Sequence, residues 1–130
     1  MIYLDSAAVV KLVHAESESQ ALRDRLDERA EISWTSSVLV EVETSRALAR
    51  HAPQAVTGLH HVLDLIDLID VDAGFRNLAQ TVKPATVRGL GAIHLATALR
   101  VRTQLTSFVT YDKRLADAAR EAGLSVNAPT

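Results

Sequence analysis

The chain has 130 residues, a formal net charge of −2, 48% hydrophobic and 23% charged residues, and no cysteine. This is the length of one domain with a sizeable core and the ordinary balance of a globular protein. Disulfides and thiolate metal sites are excluded, no basic tract announces nucleic-acid binding, and no apolar run approaches the roughly 18 residues of a membrane span.

Met1 opens directly on a strand-like run, so no secretory leader is expected, and a chain without cysteine fits the reducing cytoplasm. Ile2-Tyr3-Leu4 reads as a short buried strand ending on a carboxylate, Asp5. A helix over Ser6–Val13 follows, which Ser6 can cap. A second helix spans Ser17–Arg29, with Leu22 and Leu26 on one face. Ile32–Thr35 reads as a second strand. Thr35, Ser36 or Ser37 then caps a third helix reaching about Arg50. Pro53 suits the first turn of a fourth helix that ends near Leu65. Ile66–Val71 fits either a third strand or the end of that helix. Asp72 caps a helix over Ala73–Val82, which Lys83-Pro84 terminates. Arg88-Gly89-Leu90-Gly91 reads as a turn. The next segment, Ala92–Arg102, is apolar nearly all round and is expected to be a buried helix. Ser107–Thr110 is a strand ending near Asp112, Lys113–Ala122 is a helix closed by Gly123, and Leu124–Val126 is a last strand. Strands alternating with helices predict an α/β/α sandwich around a mainly parallel sheet of about four or five strands, in one domain over residues 1–130.

In such a sheet all strand C-termini share one edge, where open α/β folds place their chemistry. Asp5 and Asp112 both follow predicted strands and can reach that edge. Each also has a plainer reading as a helix N-cap, and the two readings are compatible. On the third helix, Glu41 and Glu43 point to nearly opposite sides. Glu43 shares its face with Leu39, Val40 and Ala47, and a carboxylate on an apolar stripe calls for a cation, an arginine or a metal as partner. An intrahelical pair with Arg46 is the alternative; Glu41 is expected at a solvated or edge position. Asp5, Glu43 and Asp112 form an all-oxygen set of the kind that suits Mg²⁺ or Mn²⁺. The matching reaction class is phosphodiester hydrolysis. Thr110 either closes the turn before Asp112 or touches a metal-bound water. His60 and His61 are adjacent, which is poor ligand geometry, and His94 reads as a satisfied core histidine. Asp64, Asp67, Asp70 and Asp72 read as a solvated acidic face.

These stretches together resemble the PIN-domain nucleases, and within them the VapC-type toxins of bacterial toxin–antitoxin pairs. Met1 to Ser6 resembles the first strand and first acid of the family. Ser37 to Leu48 resembles its serine and helix acid, in a register that selects Glu43. Leu90 to Leu99, LGAIHLATAL, is similar to its most recognisable stretch, and Val109 to Ala119 to its last acid and final helix. The departure is at Gly91, which reads as the N-cap of the buried helix. The family pattern is Leu-Asp-Ala-Ile-His-Leu-Ala, its aspartate a member of the metal-binding quartet, so this chain keeps three of the four acids, Asp5, Glu43 and Asp112.

The resemblance implies a Mg²⁺-dependent endoribonuclease (Mn²⁺ substituting) acting on RNA, with Asp5, Glu43 and Asp112 as catalytic and metal-binding residues. Ser6, Thr110, Arg46 and Arg88 are the substrate-binding candidates, with Lys113 and Arg114 as further phosphate contacts. It also implies a cognate antitoxin seated in an apolar groove between the early helices, a homodimer or toxin–antitoxin hetero-oligomer, no membrane, and a cytoplasmic location. Gly91 leads to the expectation of weak metal binding and poor cleavage. The alternative is a catalytically inactive module that captures antitoxin, and RNA, without cutting. A phospho-accepting signalling domain also gathers acids at a parallel-sheet edge, but it would want paired acids after the first strand, where Ser6 and Ala7 stand here.

Overall fold

The computed structural model describes residues 1–130. Five parallel strands form one sheet: β1 (Ile2–Leu4), β2 (Trp34–Ser37), β3 (Ile66–Ile69), β4 (Ser107–Val109) and β5 (Val126–Asn127). Their spatial order is β3-β2-β1-β4-β5. The chain therefore builds outward from β1 in one direction and then returns to its other side. The C-terminal ends of β1 and β4 flank that reversal, the point where open parallel sheets form a crevice.

The helices are α1 (Ser6–Val13), α2 (Ser19–Asp27), α3 (Val40–His51), α4 (Val56–Leu63), α5 (Ala73–Ala79), α6 (Gly89–Arg100) and α7 (Lys113–Glu121). Side chains alternate across a strand, so β1 feeds both layers of the sandwich. Ile2 and Leu4 join Val9, Leu22, Leu26, Val40, Leu48 and Leu59 under α1 to α4. Tyr3 points the other way, into a second core with Leu95, Phe108, Leu115 and Ala119 from β4, α6 and α7. The Tyr3 and Phe108 rings stack at 5.1 Å between centroids.

Several expectations shift at the boundaries. Of the span Ile66–Val71, Ile66–Ile69 forms a strand rather than a helix end. Pro53 opens a 3₁₀ turn that leads into α4. Strand β2 lies two residues later than its sequence suggests, because pairing with β1 matches Ile2 to Trp34 and Tyr3 to Thr35. Its hydroxyls are buried yet bonded: Thr35 Oγ1 donates to the Asp67 carbonyl and Ser36 Oγ to that of Leu4, each at 2.7 Å. Helix α6 begins at Gly89, so Gly91 is its third residue, in neither the turn nor the N-cap position. Gly123 does close α7, at a positive φ of 91°. No helix is long and apolar enough to cross a membrane.

Candidate active site

Asp5 is the single residue between β1 and α1. It, rather than Ser6, is the cap: its Oδ1 accepts the Ala8 N–H at 2.9 Å. Its Oδ2 accepts the Thr110 hydroxyl at 2.5 Å from the end of neighbouring β4. The carboxylate is only 4% exposed. Burial pushes its pKa above the ordinary carboxylate range, and the nearby Glu43 charge adds to this; the Thr110 and Ala8 bonds and His94 oppose it.

Thr110 is fully buried and two-sided. Besides holding Asp5, its oxygen accepts the Asp112 backbone N–H at 3.1 Å. One hydroxyl thus ties the ends of β1 and β4 into a unit. Asp112 is exposed and caps α7, with Oδ1 accepting the N–H groups of Arg114 and Leu115 at 2.9 and 3.1 Å. Its Oδ2 has no protein donor. Beside it opens a cleft of about 490 Å³ whose walls include Thr110, Asp112, Lys113 and Arg120.

Glu43 rises from α3 with its side chain 13% exposed. Its partner is not Arg46 but His94 of α6, whose Nε2 lies 2.8 Å from Glu43 Oε1. The other ring nitrogen, Nδ1, meets the Tyr3 hydroxyl at 2.7 Å. His94 is thus satisfied in the core, and it also joins an acid to β1. Sequence reading missed Tyr3 as a polar partner. The signal was present: a tyrosine in a buried strand and a histidine in a buried helix each need a bonding partner.

The remaining candidates are peripheral. Ser6 is half-buried and makes no side-chain hydrogen bond, while Arg46 and Arg88 are exposed and unpaired. At Gly91, an added Cβ would lie 3.3 Å from Val87 Cγ1 and 3.8 Å from a Leu115 methyl. Leu115 is in the turn that Asp112 caps, and His94, which touches Glu43, is one helical turn along α6 from Gly91.

The residues suit a hard divalent ion in donor type and in charge: every carboxylate oxygen is a hard donor, and a cation would offset the buried Asp5. They fall short in number, since no three Asp, Glu or His side chains converge closely enough to hold an ion as they stand.

Against known proteins, a sequence profile of the PIN domain matches residues 2–121. The chain belongs to the PIN-domain family. Among its relatives is Ribonuclease VapC35 of Mycobacterium tuberculosis, 44% identical over 131 aligned positions covering 99% of this chain and 97% of the relative. This chain is a VapC-type member of the family. Solved PIN folds superpose on it despite low identity. The M. tuberculosis VapC20 structure, described as a sarcin-ricin loop cleaving toxin, gives a TM-score of 0.77 at 15% identity, covering 99% of this chain and all of that one. The VapBC2 structure from Rickettsia felis, bound to a promoter DNA fragment, gives 0.76 at 16% identity over the full length of both chains.

Proposed function

We propose that this PIN domain is a Mg²⁺-dependent endoribonuclease toxin of a toxin–antitoxin pair, working as one domain and weakened by Gly91. What carries the reading is the 44% identity to a named ribonuclease over 99% of the chain. The geometry supports it: Asp5 and Asp112, joined through Thr110, stand at the sheet reversal with Glu43 within electrostatic reach of Asp5.

In this reading Asp5, Glu43 and Asp112 are the residues that would hold the ion, Mg²⁺ or Mn²⁺. A divalent ion there would supply Lewis-acid chemistry and charge neutralisation for phosphodiester hydrolysis. The chain's own part is to present oxygens. Thr110 fixes Asp5, and the α7 N-terminus fixes Asp112 through Oδ1 and leaves Oδ2 outward. Lys113 and Arg120 in the cleft, with exposed Arg46 and Arg88, supply positive charge for RNA phosphates. Ser6, next to Asp5, faces the same substrate. The partner is an antitoxin, as the two-component name VapBC2 of the structural neighbour suggests. Half-buried Val10, Val13 and Val56 on α1 and α4 offer it apolar surface, in a homodimeric or hetero-oligomeric assembly.

A second reading, a module that binds antitoxin without cutting RNA, draws on the same shortfall in ligands. One assay separates the two: RNA cleavage by the purified chain with Mg²⁺, with EDTA and with Asp5→Asn as controls. Slow cleavage that both controls abolish supports the nuclease. Cleavage indifferent to both refutes the assigned site, and no cleavage by the parent or by Gly91→Asp leaves the binding module.

A further inference from the structure

The strand register places Ser107 beside Ile2 and Asn127 beside Val109. Alternation along each strand then puts Ser107, Ser125 and Asn127 on the same face of the sheet as Ile2, Leu4 and Val109. Ile2, Leu4 and Val109 pack into the core under α1 to α4. Over β4 and β5 that face turns polar. Helix α2 stands opposite: its Leu26 joins the core, while Arg25 and Arg29 meet Thr106, Ser107, Ser125 and Asn127 around a pocket of about 100 Å³.

These polar groups have no occupation inside the protein. The hydroxyls of Thr106, Ser107 and Ser125, the Asn127 amide and the Arg29 guanidinium make no side-chain hydrogen bond. They are not sealed in, since no buried polar side-chain atom of the chain lacks a partner. Arg25 reaches only Glu28, at a long 3.6 Å on the surface, and no acid lines the pocket. Arg25 and Arg29 are one helical turn apart, a spacing at which like charges repel. A basic residue in the last turn of α2 serves the helix dipole, which accounts for Arg25. It does not account for Arg29, beyond the helix end at Asp27, or for the row of hydroxyls facing both.

Two guanidinium groups, three hydroxyls and an amide are donors suited to a phosphate. Arginine supplies a two-pronged, charge-assisted contact, and the neutral groups supply further bonds. The pocket has the volume of about three water molecules, the scale of one tetrahedral oxyanion. Helix α2 covers it on one side and the sheet on the other. A phosphate therefore enters as a free ion or a terminal group, not as a link in a running chain.

We propose that the pocket between α2 and the β4–β5 half of the sheet is a phosphate site, taking inorganic phosphate or the terminal phosphate of a nucleotide, with Arg29 as its principal contact. Thr106 and Ser107 place it toward the strand N-termini, whereas Asp5 and Asp112 follow the strand C-termini. The site owes nothing to those acids or to a metal ion. A phosphate bound there bridges α2 to β5, an edge strand of two residues.

The test uses the full chain, with calorimetry and backbone ¹H–¹⁵N spectra. The probes are sodium phosphate, AMP and adenosine, with sodium chloride holding ionic strength constant. The expected result is saturable phosphate or AMP binding that shifts the amides of Ser107, Ser125 and Asn127. Arg29→Gln should weaken it at least about tenfold, and Ser125→Ala by about threefold. Arg29→Lys, which keeps the charge but not the fork, should fall between parent and Arg29→Gln. Both positions are exposed, so these variants should keep the parent's circular dichroism and melting temperature. AMP binding at the same amides without adenosine binding identifies the terminal phosphate of a nucleotide as a ligand; phosphate binding without AMP binding identifies the free ion. Either outcome supports the site.

Saturable binding of neither phosphate nor AMP below about 10 mM overturns the proposal. So does affinity unchanged in the double variant Arg25→Gln/Arg29→Gln, adenosine binding as tightly as AMP, or amide shifts confined to the cleft around Lys113 and Arg120. None of these results bears on the nuclease reading, which its own cleavage assay decides.

Discussion

Gly91→Asp is the most informative single change in this chain. Gly91 lies in the first turn of α6 and does not adopt a positive φ, so the backbone accepts a side chain there. Aspartate is better than glycine in a helix by about 0.3 kcal/mol, and an acid in the first turn gains about 0.3–1 kcal/mol from the helix dipole. Against this, Val87 Cγ1 must move a few tenths of an ångström from its 3.3 Å contact. A further carboxylate also joins Asp5, whose burial already disfavours charge. These effects nearly cancel, so metal-free stability should stay within about 1 kcal/mol of the parent. The cation-loaded form differs. A fourth ligand that tightens binding tenfold adds about 1.4 kcal/mol at saturation, about 4–6 °C in Tm for a domain of this size. The assay is differential: Tm with EDTA and with saturating Mn²⁺, beside RNA cleavage in Mg²⁺. The variant should show the larger metal-induced shift and cleave at least about tenfold faster. Equal shifts and equal cleavage would refute position 91 as the missing ligand.

Further outcomes follow from the same geometry. Asp5 has a folded pKa raised by burial, so its stabilising contribution is complete below the unfolded value near 3.9 and is lost as pH rises through the folded value. In EDTA, Asp5→Asn should therefore melt above the parent at pH 7.5 and lose that advantage near pH 4; a pH-independent difference refutes the charge argument. Thr110→Val strands Asp5 Oδ2 and the Asp112 N–H, and should cost about 2–3 kcal/mol in urea unfolding, most of it restored by Thr110→Ser. Lys11 is buried over the Tyr111 ring at 4.8 Å and pairs with Glu16 and Glu18 at 3.1 and 3.3 Å. Lys11→Met keeps the packing and should cost only about 1 kcal/mol, because the glutamates remain wet; a loss beyond about 3 kcal/mol would show a buried charge network instead. Burial pushes the Tyr111 hydroxyl up to about 12, helped by the Glu18 and Asp5 charges, so its ultraviolet titration should be incomplete at pH 11.

Much of this fold could be read from residue order, because apolar runs alternate with helical periods. What could not be read depends on distant partners. Strand β2 is polar, and Thr35, Ser36 and Ser37 read as candidate helix caps until the acceptors of Thr35 on β3 and of Ser36 on β1 are known. Two glycines within three residues suggested a turn at Arg88 to Gly91, yet packing of α6 against the sheet and α5 carries the helix through them. Glu43 was selected by its helical face, but its partner lies 51 residues away, beyond the reach of helical geometry.

Asp5 and Asp112 are both helix caps, the plainer of the two readings their sequence offered. A strand end that leads directly into a helix must satisfy the orphan N–H groups of the first turn, and aspartate does so with one carboxylate oxygen. At Asp112, Oδ1 accepts both α7 N–H groups and Oδ2 is left without a protein donor. At Asp5, Oδ1 takes the α1 N–H and Oδ2 points to Thr110 on the neighbouring strand. Capping therefore fixes each carboxylate's rotamer and frees its second oxygen for another partner, which at Asp5 is Thr110. The torsion angle that closes the helix also sets the direction of the second oxygen. Glu43, in the interior of a helix, has no cap to do this, and its one side-chain partner is His94 of α6.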